Sequence, residues 1–108
     1  MTNKIIQFKL NNIISQIRDK YKPEQIILFG SLARGEFNKD SDIDLLIIKD
    51  NVPSCGLERR WQLRKLIKKE GVPVDFLVIK KDEYYKKLKL EDPFIKTIIS
   101  EGKVVYSI

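Results

Sequence analysis

Acidic residues open two apolar runs in this 108-residue chain, and a glycine ends the apolar run before them. Gly30 follows the first run, Asp42 and Asp44 open the second, and Asp75 lies near the start of the third. If these residues line one site, the first strand must run antiparallel to the second, and the third must run parallel to the second. A parallel pair needs a crossover connection, usually right-handed and through a helix. The pattern therefore predicts a mixed sheet with the acids at one end.

The apolar runs also give the expected bounds of the strands. Their composition favours strands over 25–29, 42–48 and 73–79 and a last, edge strand over 104–108. A chain of this length has room for one compact domain, which we place at residues 1–108. The predicted fold class is α/β (α+β), a small mixed β-sheet flanked by helices.

Helical patterns and turn formers fill the stretches between these runs. Apolar residues at helical spacing predict a first helix over 4–20 and a crossover helix from Leu57 until Gly71 ends it. Two more helices are expected, over 82–88 and from Asp92-Pro93 to Gly102. Residues 31–41 predict a loop with a helical turn at 31–34 and turn formers at 38–41. The core side of the crossover helix is predicted to be Leu57, Trp61, Leu63, Leu66 and Ile67.

Composition excludes several kinds of chemistry. The chain has no His, which removes imidazole catalysis, Ser-His and Cys-His pairs and His-based zinc sites. Cys55 is the single cysteine, so an internal disulfide and a thiolate metal cage are excluded and a cytoplasmic location is expected. No apolar run approaches the roughly 18 residues that span a bilayer, so no membrane contact is expected. The net charge of +6 favours anionic partners.

The spacing of the acids indicates a metal-dependent transfer reaction. Residues two apart in a strand share a face at about 6.5–7 Å, so the Asp42 and Asp44 side chains converge. Mg²⁺ binds one or two carboxylates together with phosphate oxygens and water, and Asp75 allows a second ion. Gly30 permits a close approach to phosphate, and Ser31 with the next amides donates hydrogen bonds. These parts suit phosphoryl or nucleotidyl transfer.

The same residues carry a resemblance to a known family. Gly-Ser-Leu-Ala-Arg-Gly at 30–35, followed by Ser-Asp-Ile-Asp-Leu at 41–45, resembles the motif of the minimal nucleotidyltransferase (MNT) family in the polymerase-β-like superfamily. The resemblance covers roughly residues 4–80 well and the remainder loosely. It implies that Asp42 and Asp44 bind two Mg²⁺ ions, and that Asp75 completes the second site and assists deprotonation of the attacking hydroxyl. Gly30 and Ser31 would hold the triphosphate of ATP, and AMP would be transferred.

The resemblance also implies a partner. Short members of the family resemble the antitoxin of HEPN–MNT toxin–antitoxin pairs, in which the MNT protein adenylylates a tyrosine of the HEPN ribonuclease toxin. A chain of 108 residues leaves no room for a second, acceptor-binding domain, so we expect the acceptor surface to come from a partner. We do not expect nucleic acid to be the direct substrate. The preferred base, the acceptor residue and the oligomeric state are not predicted.

Other interpretations stay open at this point. The chain is alternatively a binding module that neutralises its partner without catalysis, or a small-molecule nucleotidyltransferase of the antibiotic-modifying kind. A non-specific nucleic-acid binder is the weakest alternative. Asp75 is alternatively a surface acid and Ser31 a helix cap. Arg34 either contacts phosphate or braces the loop.

Overall fold

The structure is a computed structural model that describes residues 3–36 and 42–108. A four-stranded sheet lies between two helical layers, with strands β1 (Gln25–Phe29), β2 (Ile43–Ile48), β3 (Val74–Ile79) and β4 (Lys103–Ser107). The helices are α1 (Asn3–Gln16), continued by a π-helical turn (Ile17–Tyr21), then α2 (Gly56–Leu66), α3 (Lys81–Lys89) and α4 (Pro93–Glu101). None of the helices in the described ranges has the length and apolarity that crossing a membrane requires.

The strands are ordered β3-β2-β1-β4. β1 and β2 are antiparallel, and their register pairs Phe29 with Asp44. β2 and β3 are parallel, α2 lies in the connection between them, and Asp44 pairs with Asp75. β4 lies antiparallel to β1 at the edge of the sheet. The predicted mixed sheet, with its antiparallel pair, its parallel crossover and its edge strand, is confirmed.

Two apolar cores cover the two faces of the sheet. Alternate residues of β2 point to opposite faces, as the strand period requires. Ile43, Leu45 and Ile47 belong to the core beneath α1 and α2, whereas Leu46 and Ile48 belong to the core beneath α3 and α4. The alternation places Asp44 on the face of Leu46, so the acids lie on the α3 and α4 side.

Two helices end earlier than the sequence predicts. The first α-helix gives way at Ile17 to the π-helical turn, although the stripe of buried residues continues through it. The crossover helix ends at Leu66 rather than at Gly71. Beyond it, the Lys68 amide donates to the Gln16 side-chain oxygen at 2.6 Å, so a side chain of α1 replaces the next helical acceptor. The turn predicted at 38–41 lies outside the described residues.

The predicted core side of α2 is mostly wrong. Leu63 is buried and Ile67 packs partly against the core, but Leu57 and Trp61 are 68% and 62% exposed, and Leu66 is exposed as well. Arg59 is instead 5% exposed. Because α2 lies along β3, an edge strand with free backbone carbonyls, a long hydrogen-bond donor is buried there in place of an apolar side chain.

Candidate active site

The three predicted acids come together at one end of the sheet. Asp44 and Asp75 are register partners on adjacent parallel strands, which lie about 4.8 Å apart. Asp42 directly precedes β2. Burial, followed by the negative charges of Asp75 and Asp42, raises the pKa of the Asp44 carboxyl above its ordinary value. Asp42 and Asp75 are therefore close enough to Asp44 to oppose the ionisation of its carboxyl group.

Gly30 is packed directly against this cluster. It follows β1 with a φ of +76°, a backbone conformation that favours glycine. A Cβ atom built on Gly30 would overlap the Asp44 Oδ2 atom and would lie 3.1 Å from its Cγ. The missing side chain therefore leaves the space that the Asp44 carboxylate occupies.

The variant Gly30→Ala tests this contact. The left-handed backbone costs an alanine about 1–3 kcal/mol, and the new methyl group must also displace the Asp44 carboxylate. Gly35→Ala is a matched control, because Gly35 has a φ of +80° but nothing within 4 Å of its added Cβ. We expect thermal denaturation to show a loss of stability in both variants. The loss should be larger in Gly30→Ala, and equal losses would contradict the contact.

Residues 30–36 form a compact helical turn after β1. The Arg34 amide donates to the carbonyls of Gly30 and Ser31 at 3.2 Å, and the Glu36 amide donates to Ser31 at 2.9 Å. Leu32 and Ala33 are buried in the core and fix the turn to the sheet. The first amides of a helical turn have no acceptor within it, which makes them available to an anion. The predicted turn is confirmed, and Ser31 lies at its start.

Arg34 is held by two carboxylates in this structure. Its guanidinium contacts Glu36 Oε2 and Glu101 Oε2, each at 3.0 Å, which joins the turn to the end of α4. The positive charge of Arg34 acts to lower the pKa of Asp44, but burial and the neighbouring acids raise that pKa by more. Arg34 thus braces the loop, one of the two predicted alternatives, and its phosphate contact stays a prediction.

An aromatic pair beside the acids was not predicted. Phe29 is the register partner of Asp44, and its ring meets the Phe94 ring edge-on with centroids 5.9 Å apart. Phe94 lies in the first turn of α4 and is 53% exposed. Strand alternation predicts that Phe29 lies on the same face of the sheet as Asp44. No sequence pattern predicts that Phe94 of the last helix packs against it.

The donor set fits a catalytic magnesium ion better than a structural metal. In the described part of the chain, no three acidic side chains are arranged to enclose an ion by themselves. Catalytic Mg²⁺ does not require such a cage, because it takes one or two carboxylates and completes its shell with phosphate oxygens and water. The crowding of negative charge around Asp44 is the observation that favours a divalent cation here.

Comparison with known proteins identifies the family. The model for the nucleotidyltransferase domain matches residues 10–106. The chain belongs to this nucleotidyltransferase family. A Methanocaldococcus jannaschii protein, provisionally named protein adenylyltransferase MJ0604, is 31% identical over 99 residues, which are 90% of this chain and 94% of that protein. The family and the nucleotidyltransferase activity expected from the sequence are confirmed.

Solved structures of toxin–antitoxin complexes share the fold. A toxin–antitoxin complex with AMP-PNP contains a chain that is 25% identical, with a TM-score of 0.64 over 91% of this nucleotidyltransferase and 73% of that chain. A Shewanella oneidensis complex joins a tri-AMPylated HEPN toxin to an MNT antitoxin. The matching chain there is 23% identical, with a TM-score of 0.58 over 94% of this chain and 72% of that one. The predicted fold class is confirmed.

Proposed function

We propose that this nucleotidyltransferase moves AMP from ATP to a hydroxyl group of a HEPN ribonuclease toxin, a tyrosine hydroxyl in particular, and so acts as its antitoxin. The observation that carries the proposal is the meeting of Asp42, Asp44 and Asp75 beside Gly30 at one end of the sheet. The related complexes with AMP-PNP and with an AMPylated HEPN toxin support ATP and a HEPN partner.

The chemistry requires positioning and the neutralisation of charge. The acceptor oxygen attacks the α-phosphorus of ATP, the bond from that phosphorus to the β-phosphate bridge breaks, and pyrophosphate leaves. The helical turn after Gly30 offers its first amides, with Ser31, to the triphosphate. Asp75, exposed at the start of the edge strand β3, accepts the proton of the attacking hydroxyl.

Two magnesium ions are proposed to bind at the carboxylates. Asp42 and Asp44 would hold both ions, and Asp75 would complete the second site. Bound magnesium neutralises the triphosphate and makes the acceptor hydroxyl easier to deprotonate. No imidazole is needed for this chemistry, which agrees with the absence of His from the chain.

The proposed function is tested by incubating the chain with α-labelled ATP, Mg²⁺ and the product of the neighbouring gene, which the proposal expects to be a HEPN protein. We expect one or more AMP groups on the HEPN protein and a loss of its ribonuclease activity. Omission of Mg²⁺ should stop both effects. Mass spectrometry of the labelled protein then identifies the modified residue.

Neutralisation of the HEPN protein without any label would decide against catalysis. If the HEPN protein is neutralised in the absence of ATP, the chain acts by binding alone. If neither label nor neutralisation appears, the assigned partner is wrong. A label on tyrosine together with lost ribonuclease activity is the outcome that supports the proposal.

A further inference from the structure

An apolar groove follows the outer side of α2 and the neighbouring edge strand β3. It consists of two adjoining cavities of about 530 and 370 Å³ that share Arg64. Its main lining residues are Leu57, Trp61, Arg64, Ile67, Val74 and Phe76. We call this surface the edge groove. It lies on the opposite face of the sheet from the acids.

The edge groove combines exposed apolar side chains with basic ones. Leu57 and Trp61 lie one helical turn apart and are 68% and 62% exposed. So large an exposed area is unusual for a tryptophan and forms an apolar patch with Leu57. The Lys65 ammonium lies 4.1 Å from the centroid of the Trp61 ring. The charged residues that line the groove are four cations, Arg60, Arg64, Lys68 and Lys69, and two acids, Glu58 and Glu70, so the net charge is positive. This charge fits an acidic partner.

Hydrogen bonds along β3 indicate how a partner would bind. Arg64 donates to the Val74 carbonyl at 2.9 Å, and Arg59 donates to the Val78 carbonyl at 3.0 Å. Two arginines of α2 thus occupy carbonyl groups on this edge strand, which disfavours the addition of another strand. A partner is therefore expected to place side chains in the groove, as an amphipathic helix does.

The position of the edge groove relates it to the transfer site. Val74 and Phe76 line the groove, and Asp75 stands between them on the opposite face of the same strand. Because β3 is at the edge of the sheet, a protein bound in the groove has to extend past only this one strand to reach Asp75 on the other face. Asp75 is the acid to which we assign the proton of the attacking hydroxyl.

From these observations we infer that the edge groove docks the acceptor protein through an amphipathic helix with acidic residues at its margins. This inference rests on the proposed function. Trp61 is the central contact, Leu57 extends it, and the cations of α2 pair with the acidic margin. Docking here delivers the acceptor hydroxyl to the Asp75 side of the site and leaves the Gly30 side to the triphosphate.

The test measures binding and transfer separately with the HEPN protein as the probe. Titration without ATP should show that Trp61→Ser raises the dissociation constant at least tenfold. Arg60→Glu should weaken binding at low salt and reduce its salt dependence. Phe8→Ser is the matched control, because Phe8 on α1 is 66% exposed and lies outside the groove. In transfer assays, Trp61→Ser should raise the KM for the HEPN protein with little change in kcat, and ATP binding should be unchanged.

The outcomes separate this inference from the proposed function. If wild type labels the HEPN protein and Trp61→Ser binds and labels it equally well, the docking assignment is overturned while the function stands. If binding depends on Trp61 but no label appears, catalysis is overturned and docking stands. If Trp61→Ser changes only self-association, the groove joins two copies of this chain and the assignment is wrong.

Discussion

Replacing Asp44 with asparagine is expected to stop AMP transfer and, in the absence of magnesium, to make the protein more stable at neutral pH. The variant keeps the shape of the side chain but removes the charge on which Asp42 and Asp75 act. Loss of a proposed metal ligand should lower the transfer rate about a thousandfold. In the wild type, burial and the negative charges of Asp42 and Asp75 oppose the ionisation of Asp44. The neutral amide avoids this cost, so the variant is more stable.

The sign of the pH dependence follows from the raised pKa of Asp44. A group whose pKa is higher in the folded chain contributes stability below its unfolded pKa, about 3.9, and this contribution is lost as pH rises through the folded value. The amide of the Asp44→Asn variant does not titrate, so the variant does not lose stability at this site as pH rises. Melting curves in a chelator should therefore show the variant above wild type at pH 7 and the difference shrinking toward pH 3. Added Mg²⁺ should stabilise wild type more than the variant.

Glu91→Gln is the control for removing one negative charge. Glu91 has a side chain that is 75% exposed and pairs only loosely with Lys96, at 3.6 Å. Exposed ion pairs of this kind contribute little to stability, so we expect near-normal transfer by Glu91→Gln. Its melting temperature should equal that of the wild type both in the chelator and after Mg²⁺ is added. Wild-type transfer by Asp44→Asn would remove Asp44 from the proposed catalytic set. A destabilised Asp44→Asn would contradict the crowding of charge.

The arrangement of the acids could be predicted from the sequence, because few strand topologies bring Asp42, Asp44 and Asp75 to one end of a sheet. Strand alternation places Asp42 and Asp44 on one face, and the topology argument then requires Asp75 on a parallel neighbour. The observed register pairs Asp44 with Asp75 and Phe29 with Asp44. The left-handed φ of Gly30 follows from its place at the end of a strand and before a turn.

Contacts that depend on where the helices lie on the sheet could not be predicted from the sequence. Periodicity shows that α2 has an apolar stripe, but it does not show that Leu63 alone of that stripe would be fully buried against the edge strand. Arg59 and Arg60 are indistinguishable as sequence letters, yet one is 5% exposed and the other is exposed. The difference depends on where α2 lies relative to the carbonyls of β3. Likewise, the Arg34 pair with Glu101 depends on where α4 ends.

Arg59→Met is expected to destabilise the fold by about 3 kcal/mol, a value typical of leaving a buried hydrogen-bond acceptor without its charged donor. The Arg59 guanidinium donates to the carbonyls of Pro53 and Val78 and to the Glu83 carboxylate, at 2.9 Å to its Oε1 atom. One side chain therefore joins the loop before α2, the edge strand and the first turn of α3. Methionine fills similar volume but leaves both carbonyls without this donor and Glu83 without its cation. The melting temperature should fall by about 10–20 °C.

The variants Arg59→Lys and Glu83→Gln test why this residue is arginine. Lysine keeps the charge but lacks the planar fork that reaches several acceptors together, so we expect it to recover only part of the loss. Glu83→Gln keeps an oxygen for the Lys80 amide, which now donates to Glu83 at 2.7 Å, and should cost less than Arg59→Met. A double-mutant cycle between the two positions gives their coupling. Equal stability of wild type and Arg59→Met would contradict the bracing role.

The pH dependence of stability separates this pair from simple packing. Hydrogen bonding to Arg59 lowers the pKa of Glu83, so the pair contributes stability above the unfolded value of about 4.3. That contribution is lost as pH falls through the lower folded pKa. In Arg59→Met the largest cause of the shift is gone, and the acid side of the stability profile should become flatter between about pH 2 and 5. Because Arg59 lies on the inner side of α2, ATP binding at the opposite face should persist wherever the variant remains folded. Loss of ATP binding by a folded Arg59→Met would show that α2 and the acid site are coupled through β3.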